Sequence, residues 1–158
     1  KGYTPSVFAQ LPKLLERAGR SPKGTITGIY TVLVDGDDFN DPIADSVRSI
    51  LDGHIVLDRS LTQKRHYPAI DVLKSVSRLE SRLHSEEDKI LTSRLIRTLS
   101  HYRQSEDMIH IGAYVRGSHA ETDYAMDMIE PINDFLRQGV EEQCTVAQAR
   151  EALAALFR

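Results

Sequence analysis

Between Gly24 and Asp38 the sequence reads GTITGIYTVLVDGDD, and this run limits the fold more than any other part of the chain. Ile, Val, Thr and Tyr dominate it, and their branched or aromatic side chains fit a pleated strand. The apolar positions are nearly continuous instead of alternating, which is the pattern of a strand covered on both faces. A strand of that kind belongs in the middle of a sheet flanked by helices, so the expectation is an α/β fold built on parallel-sheet strands. Ahead of it, SVFAQLPKLLERA places Val7, Leu11, Leu14, Leu15 and Ala18 on one helical face, with Ser6 as cap and Gly19 as stop. Behind it come an acidic loop, DGDDFNDP, and a short amphipathic helix, IADSVRSILDG, closed by Gly53. A second short strand, HIVLD, and a brief helix or loop, RSLTQKRHY, complete this part.

After Arg78 the periodicity changes. Leu83, Ile90, Leu91, Leu95, Leu99 and Tyr102 recur at helical spacing, which predicts a long helix over Leu79–Gln104 with an interruption at HSEED. DMIHIGAYVRGSHAETD reads as a connection with little regular structure. A further helix is expected over Ala120–Gln138, kinked or divided at Pro131 and closed by Gly139. Thr145 and Gln148 have the spacing of a capping box before the last helix, VAQAREALAALF. The layout is therefore α/β followed by all-α, with expected domains at 1–80 and 81–158.

The 158 residues are enough for one domain or two small ones, and 41% hydrophobic with 27% charged is ordinary globular composition. A formal charge of -3 argues against a nucleic-acid binder, which usually shows a strong basic face. No apolar stretch approaches the roughly 18 residues of a membrane span. Lys1 opens the chain without a methionine or an apolar leader, and is read as the start of a piece of a longer protein. Cys144 is the only cysteine, which excludes an internal disulfide and suits a reducing compartment. The six histidines show no helix-borne metal spacing, no Ser/His/Asp set stands out, and Glu86, Glu87 and Asp88 read as a solvated helix face.

Two stretches ask for more. In HYPAIDVLKSVSR, Tyr67-Pro68 marks an extended or turning segment, and a mostly apolar run then delivers Arg78. By spacing alone Arg78 is a surface arginine pairing with Glu80 or covering apolar surface with its stem, and Tyr67 packs against Pro68. In DGDDFNDP, Asp35, Asp37, Asp38 and Asp41 crowd one loop. The calcium-loop pattern with its closing glutamate is absent, and turn chemistry at a strand end accounts for the composition equally well.

KGYTPSVFAQLPKLLERAG, GTITGIYTVLVDGDDFNDPIADSVRSILDGHIVLDRSL and HYPAIDVLKSVSR together resemble the type III secretion ATPases, and within them the flagellar protein-export branch. That family is similar in turn to the catalytic subunits of rotary ATP synthases. The resemblance covers nearly the whole chain and continues into SEDMIHIGAYVRGS. It implies the C-terminal portion of a RecA-like P-loop ATPase core followed by a helical domain. The phosphate-loop pattern G-x-x-x-x-G-K-[ST] is absent from these residues, as is the strand whose aspartate holds magnesium. The family carries both farther N-terminally, so the ATP phosphate cradle and the Mg2+ ligands are expected upstream. The chain alone is expected not to hydrolyse ATP.

Carried residue by residue, the resemblance implies a homohexamer with active sites between subunits. Arg78 becomes an arginine finger reaching the neighbour's phosphate, Tyr67 a platform for adenine, and Tyr114 in IGAYVRG the other wall of the base pocket. Asp37, Asp38, Asn40 and Asp41 become a loop facing a shaft-like coiled-coil partner. Stator or regulator proteins, the export gate, substrates and chaperones are the other implied partners, with no nucleic acid. The implied location is cytoplasmic at the base of the export apparatus, peripheral to the membrane at most. The injectisome branch of the same family and a non-catalytic ring subunit are the alternatives.

Overall fold

The computed structural model describes residues 2–38 and 40–158, with Asp37 described by its backbone alone. The chain divides into two compact units, Lys1–His54 and Ile55–Arg158.

In the first unit, helix α1 (Pro5–Leu15) packs on helix α2 (Pro42–Ile50), with Leu15 and Val47 as the buried anchors. The cap of α1 is Thr4 and not Ser6, because Pro5 occupies the first helical position, where a missing N–H costs nothing. The helix also ends at Leu15, short of Gly19, which instead opens strand β1 (Gly19–Ser21). β1 pairs antiparallel with β2 (Gly24–Ile26), Gly19 facing Ile26 and Ser21 facing Gly24. β3 (Gly53–His54) closes the unit, and α2 stops at Ile50 on an extended Leu51, before Gly53 is reached.

The expected central strand takes a different form. Beyond Ile26, residues 27–34 join no ladder among the described residues, and Ile29 and Leu33 are 93% and 92% exposed. A β-branched run states that a segment suits a strand; it does not supply the neighbours whose N–H and C=O groups must complete the sheet. Gly28 is required here for a local reason. A Cβ at that position would lie 2.7 Å from the Tyr30 ring and 2.9 Å from the Ala18 methyl, so the tyrosine folds across bare backbone.

The second unit begins with α3 (Arg59–Gln63), capped by Asp58, whose Oδ1 accepts from the Ser60 N–H at 2.9 Å and the Ser60 hydroxyl at 2.7 Å. Its other oxygen accepts from Lys74 Nζ at 2.9 Å. The Lys74 ammonium first, and Ser60 second, hold the Asp58 carboxyl well below the usual carboxylate range. After β4 (Val76–Ser77) and the short α4 (Glu80–Leu83), the chain is interrupted at His84, within the expected HSEED. Ser85 and Asp88 form a reciprocal capping box that starts α5 (Glu86–His110).

Helix α5 runs past Gln104 and takes in Asp107–His110, which the sequence reading assigned to a connection. Gly112 supplies the stop at φ 71°: its N–H bonds Ile109 O at 3.1 Å and that of Ala113 bonds Met108 O at 2.9 Å, a Schellman closure. Helix α6 (Ala120–Leu136) is continuous through Pro131, which neither divides nor ends it, and stops before Gly139. The proline removes one backbone bond, while the next residue, Ile132, is completely buried against Leu95 of α5 and Leu153 of the last helix, α7 (Val146–Leu156). The Thr145–Gln148 capping box starts α7 as expected. The fold is thus mixed α/β in its first part and helical in its second.

Two stability outcomes follow. Ile132→Ala is expected to lower the unfolding free energy by about 2–5 kcal/mol, while the fully exposed Val140→Ala stays within about 0.5 kcal/mol, both read from urea midpoints. Equal midpoints for the two variants would remove Ile132 from the centre of the core. Because the folded-state pKa of Asp58 is depressed, its contribution is complete above the unfolded value near 4 and fades as pH falls below it. Asp58→Asn should therefore be less stable than the parent at pH 6–7, with the gap narrowing between about pH 4 and 2; a gap independent of pH would refute the assignment.

Candidate functional site

The segment from His66 to Arg78 is built on one buried carboxylate. Asp71 is only 2% exposed, and its Oδ1 accepts from the backbone N–H groups of Leu73 and Lys74 at 3.1 and 3.2 Å, the usual local turn of an aspartate. Arg103 of α5 donates through Nη1 to both Asp71 oxygens at 3.0 Å, and Lys74 Nζ lies 3.4 Å from Oδ2. A charge buried to this degree is tolerated only when it is paired and hydrogen-bonded, and both conditions are met. The backbone is secured alongside it. Asp71 N donates to Val56 O at 2.8 Å, Asp58 N to Ala69 O at 2.9 Å, and Leu57 bridges antiparallel to Ile70. Ser75 closes the turn, accepting from Val56 N at 3.0 Å and donating to Asp71 O at 2.7 Å.

Two side chains project from this braced segment. Tyr67 stands half exposed, ahead of a cis bond to Pro68, and its carbonyl accepts from Gln138 N at 2.8 Å, just beyond α6. Arg78 is exposed and directly follows β4. Beside Tyr67, His66 is buried; burial first and the Arg137 charge second push its imidazole below its ordinary value, so it is neutral at pH 7.

Tyr114 belongs to a different local structure. Its hydroxyl lies 3.0 Å from His119 O and 2.9 Å from Asp123 Oδ1, fastening the loop after α5 to the first turn of α6. Tyr67 and Tyr114 share no hydrogen bond or ring contact among the described residues. None of Tyr67, Arg78 and Tyr114 lines either of two cavities, one of ≈ 500 Å³ along α5 and one of ≈ 280 Å³ beside His66, Asp71 and Arg103.

In the acidic loop, Asp35–Asp37 form a single 3-10 turn that Gly36 permits at φ 61°. Asp38 Oδ1 accepts from Asn40 N at 3.0 Å, and Asn40 is exposed. Asp41 turns inward: it is 4% exposed and caps α2 through bonds from Ile43 N at 2.9 Å and Ala44 N at 3.3 Å. The loop thus divides into an outward part and a structural one, with the Asp37 side chain and Phe39 outside the described residues. Among the described residues no group of His, Cys, Asp or Glu is arranged to hold a metal ion, so these residues do not fit Mg2+. No described helix is long and apolar enough to cross a membrane.

Tyr67 and Arg78 stand out in the sequence; what holds them does not. Asp71 was visible as one acid in an apolar run, AIDVL, but its partner Arg103 lies 32 residues away in an ordinary amphipathic helix.

Residues 1–77 match the ATP synthase alpha/beta family, nucleotide-binding domain, and residues 84–155 match the T3SS EscN ATPase C-terminal domain. The chain is 53% identical over 156 residues to the flagellum-specific ATP synthase of Bacillus subtilis strain 168, covering 99% of this chain and 36% of that protein. It is 52% identical over 142 residues to the SPI-2 type 3 secretion system ATPase of Salmonella typhimurium strain LT2, covering 90% of this chain and 33% of the other. The assembled ATPase EscN of the enteropathogenic E. coli type III secretion system superposes with a TM-score of 0.94 at 42% identity, covering 100% of this chain and 38% of EscN. EscN in complex with its central stalk EscO superposes with a TM-score of 0.87 at 40% identity, covering 100% of this chain and 37% of that one. The chain spans about a third of the length of the curated relatives it matches. The break between the two matched regions, residues 78–83, falls where β4 gives way to the helical part, and the fold is the C-terminal portion of an ATPase nucleotide-binding domain followed by a helical domain. By both matches and by the superposition along its whole length, the chain belongs to the type III secretion ATPase family.

Proposed function

We propose that the full-length protein containing this chain hydrolyses ATP at subunit interfaces of a homohexameric ring and energises flagellar type III protein export from the cytoplasmic side. The observation that carries this reading is the superposition of the whole chain on EscN in its assembled form. Within the ring, Arg78 reaches the phosphates held by the neighbouring subunit, where a planar and permanently charged guanidinium stabilises the charge spread over the transferring phosphoryl group. Its exposure directly after β4 supports the role, since a finger must leave its own subunit. Tyr67 offers a half-exposed ring to the adenine of its own subunit, a contact that gains area and stacking without a directional bond. Tyr114 would add its ring edge as a second wall while its hydroxyl stays with His119 and Asp123.

The acidic loop faces the basic side of a coiled-coil stalk, as the stalk complex of EscN supports. Asp37, Asp38 and Asn40 make that contact, and Asp41 keeps the loop in shape by capping α2. The phosphate cradle and the Mg2+ ligands come from elsewhere in the full-length protein. The helical domain meets stator proteins, the export gate, chaperones and cargo. A second reading, the injectisome branch, is favoured by the 52% identity to the SPI-2 ATPase. Deleting the gene decides between them: loss of motility supports the flagellar branch, and loss of effector secretion with motility intact supports the other.

In the full-length enzyme, Arg78→Ala is expected to lower kcat by roughly 10³-fold or more while nucleotide affinity changes only a few-fold. Phosphate release and binding of a fluorescent ATP analogue measure the two. Turnover at the parental rate would end the finger assignment. Tyr67→Ala should raise KM by about 5- to 150-fold, the loss of about 1–3 kcal/mol of stacking, with Tyr67→Phe close to the parent; equal KM for all three would exclude the ring from the adenine site.

A further inference from the structure

We propose that Asp71 and Arg103 are positioning residues for ATP turnover: Arg103, carried on α5, grips the buried Asp71 carboxylate and so sets where both Tyr67 and Arg78 stand. This rests on the reading of Tyr67 and Arg78 given above.

The geometry leads there in three steps. First, Asp71 is the centre of its segment, four residues after Tyr67 and seven before Arg78, and its carboxylate organises the turn through Leu73 N and Lys74 N. Ser75 and Val56 extend the same bonding to the start of β4, so no stretch of loose chain separates Asp71 from Arg78. Second, the only described group outside residues 55–78 that bonds the carboxylate is Arg103. Lys74 also approaches, but its ammonium lies nearer Asp58, at 2.9 Å against 3.4 Å, and belongs to the same segment. A local cation can steady the turn; only Arg103 refers it to another element. Third, α5 is a rigid reporter. The same helix that bears Arg103 places Leu95 in the core with Ile132 and Leu153, so its position is the position of the helical bundle.

A second tether agrees. Tyr67 O accepts from Gln138 N, immediately beyond α6, so the bundle holds the segment both at Asp71 and at Tyr67. The helical domain is thereby linked to nucleotide chemistry without touching a nucleotide. A partner that shifts α5 would move the finger and the adenine platform together. Misplacement of a reacting group by about 1 Å is enough to cost on the order of 10²-fold in rate.

A double-mutant cycle in the full-length enzyme tests this, using the parent, Arg103→Met, Arg78→Ala and the pair, with kcat, KM and affinity for a fluorescent ATP analogue as readouts. Arg103→Met is expected to lower kcat by about 10- to 100-fold and to raise KM several-fold. In the Arg78→Ala background it should lower kcat by less than about twofold more, because the finger it positions is gone, yet still raise KM through Tyr67. Arg103→Lys should recover part of both parameters, and it replaces Arg103→Met in the cycle if the methionine variant does not fold. An Arg103 effect on kcat that multiplies undiminished onto an impaired Arg78→Ala enzyme overturns this proposal alone, as does an Arg103→Met enzyme with parental kinetics. An Arg78→Ala enzyme with parental turnover overturns the finger reading, and this proposal with it.

Discussion

A carboxylate moved out of water loses several kcal/mol of hydration, which a fold recovers only with well-placed donors. Asp71 has four, two from its own backbone turn, one from Lys74 and one from Arg103, and the segment around it is shaped by that requirement. Remove the acid and the turn between Ile70 and Ser75 keeps only its backbone and Ser75 bonds; remove Arg103 and the buried charge keeps the two N–H groups of the turn and a half-exposed lysine. Removing one partner of such a pair costs more than the pair contributes, because the survivor remains buried. That asymmetry makes the contact between the segment and α5 hard to lose by small steps.

The helical part of the chain was largely legible because its signals are local. Ser85 with Asp88 and Thr145 with Gln148 are three residues apart, and both capping boxes form. Where the reading failed, a longer-range term decided. Pro131 does not divide α6 because Ile132 beside it is held by residues from two other helices. The end of α5 is a local matter instead: Gly112 carries the stop, and Gln104 carries none. The run 24–34 is strand-like in composition, yet among the described residues only 24–26 pair, since pairing depends on neighbours that composition does not name. In the candidate site, Tyr67 and Arg78 were legible through resemblance, which quotes the family's residues directly. Asp71 and Arg103 were not, because nothing in a sequence joins positions 32 residues apart.

The acidic loop shows how residues of one type separate by role once folded. Asp41 and Asp38 are three positions apart and chemically identical, yet one caps a helix from the interior and the other shapes a turn at the surface. A buried cap stabilises a helix by about 0.5–2 kcal/mol and is indifferent to any partner. Asp38 is half-buried and holds the turn through Asn40 N, so the loop is anchored at Asp41 and shaped again three residues earlier.

Under the proposed reading the braced segment joins two nucleotide sites. Tyr67 meets the nucleotide of its own subunit and Arg78 that of the next, with ten residues of braced chain between them. Coupling between two binding events is reciprocal: whatever factor nucleotide at one interface applies to affinity at the next, nucleotide at the next applies to the first. A flexible connection would dissipate that coupling in local rearrangement. The antiparallel contacts at Leu57–Ile70, the Ser75 bonds and the buried Asp71 remove that freedom, so displacement at one end has to appear at the other or at Arg103. Under that reading, rigidity between the two contacts, more than the identity of either, would let neighbouring sites of the ring respond to one another.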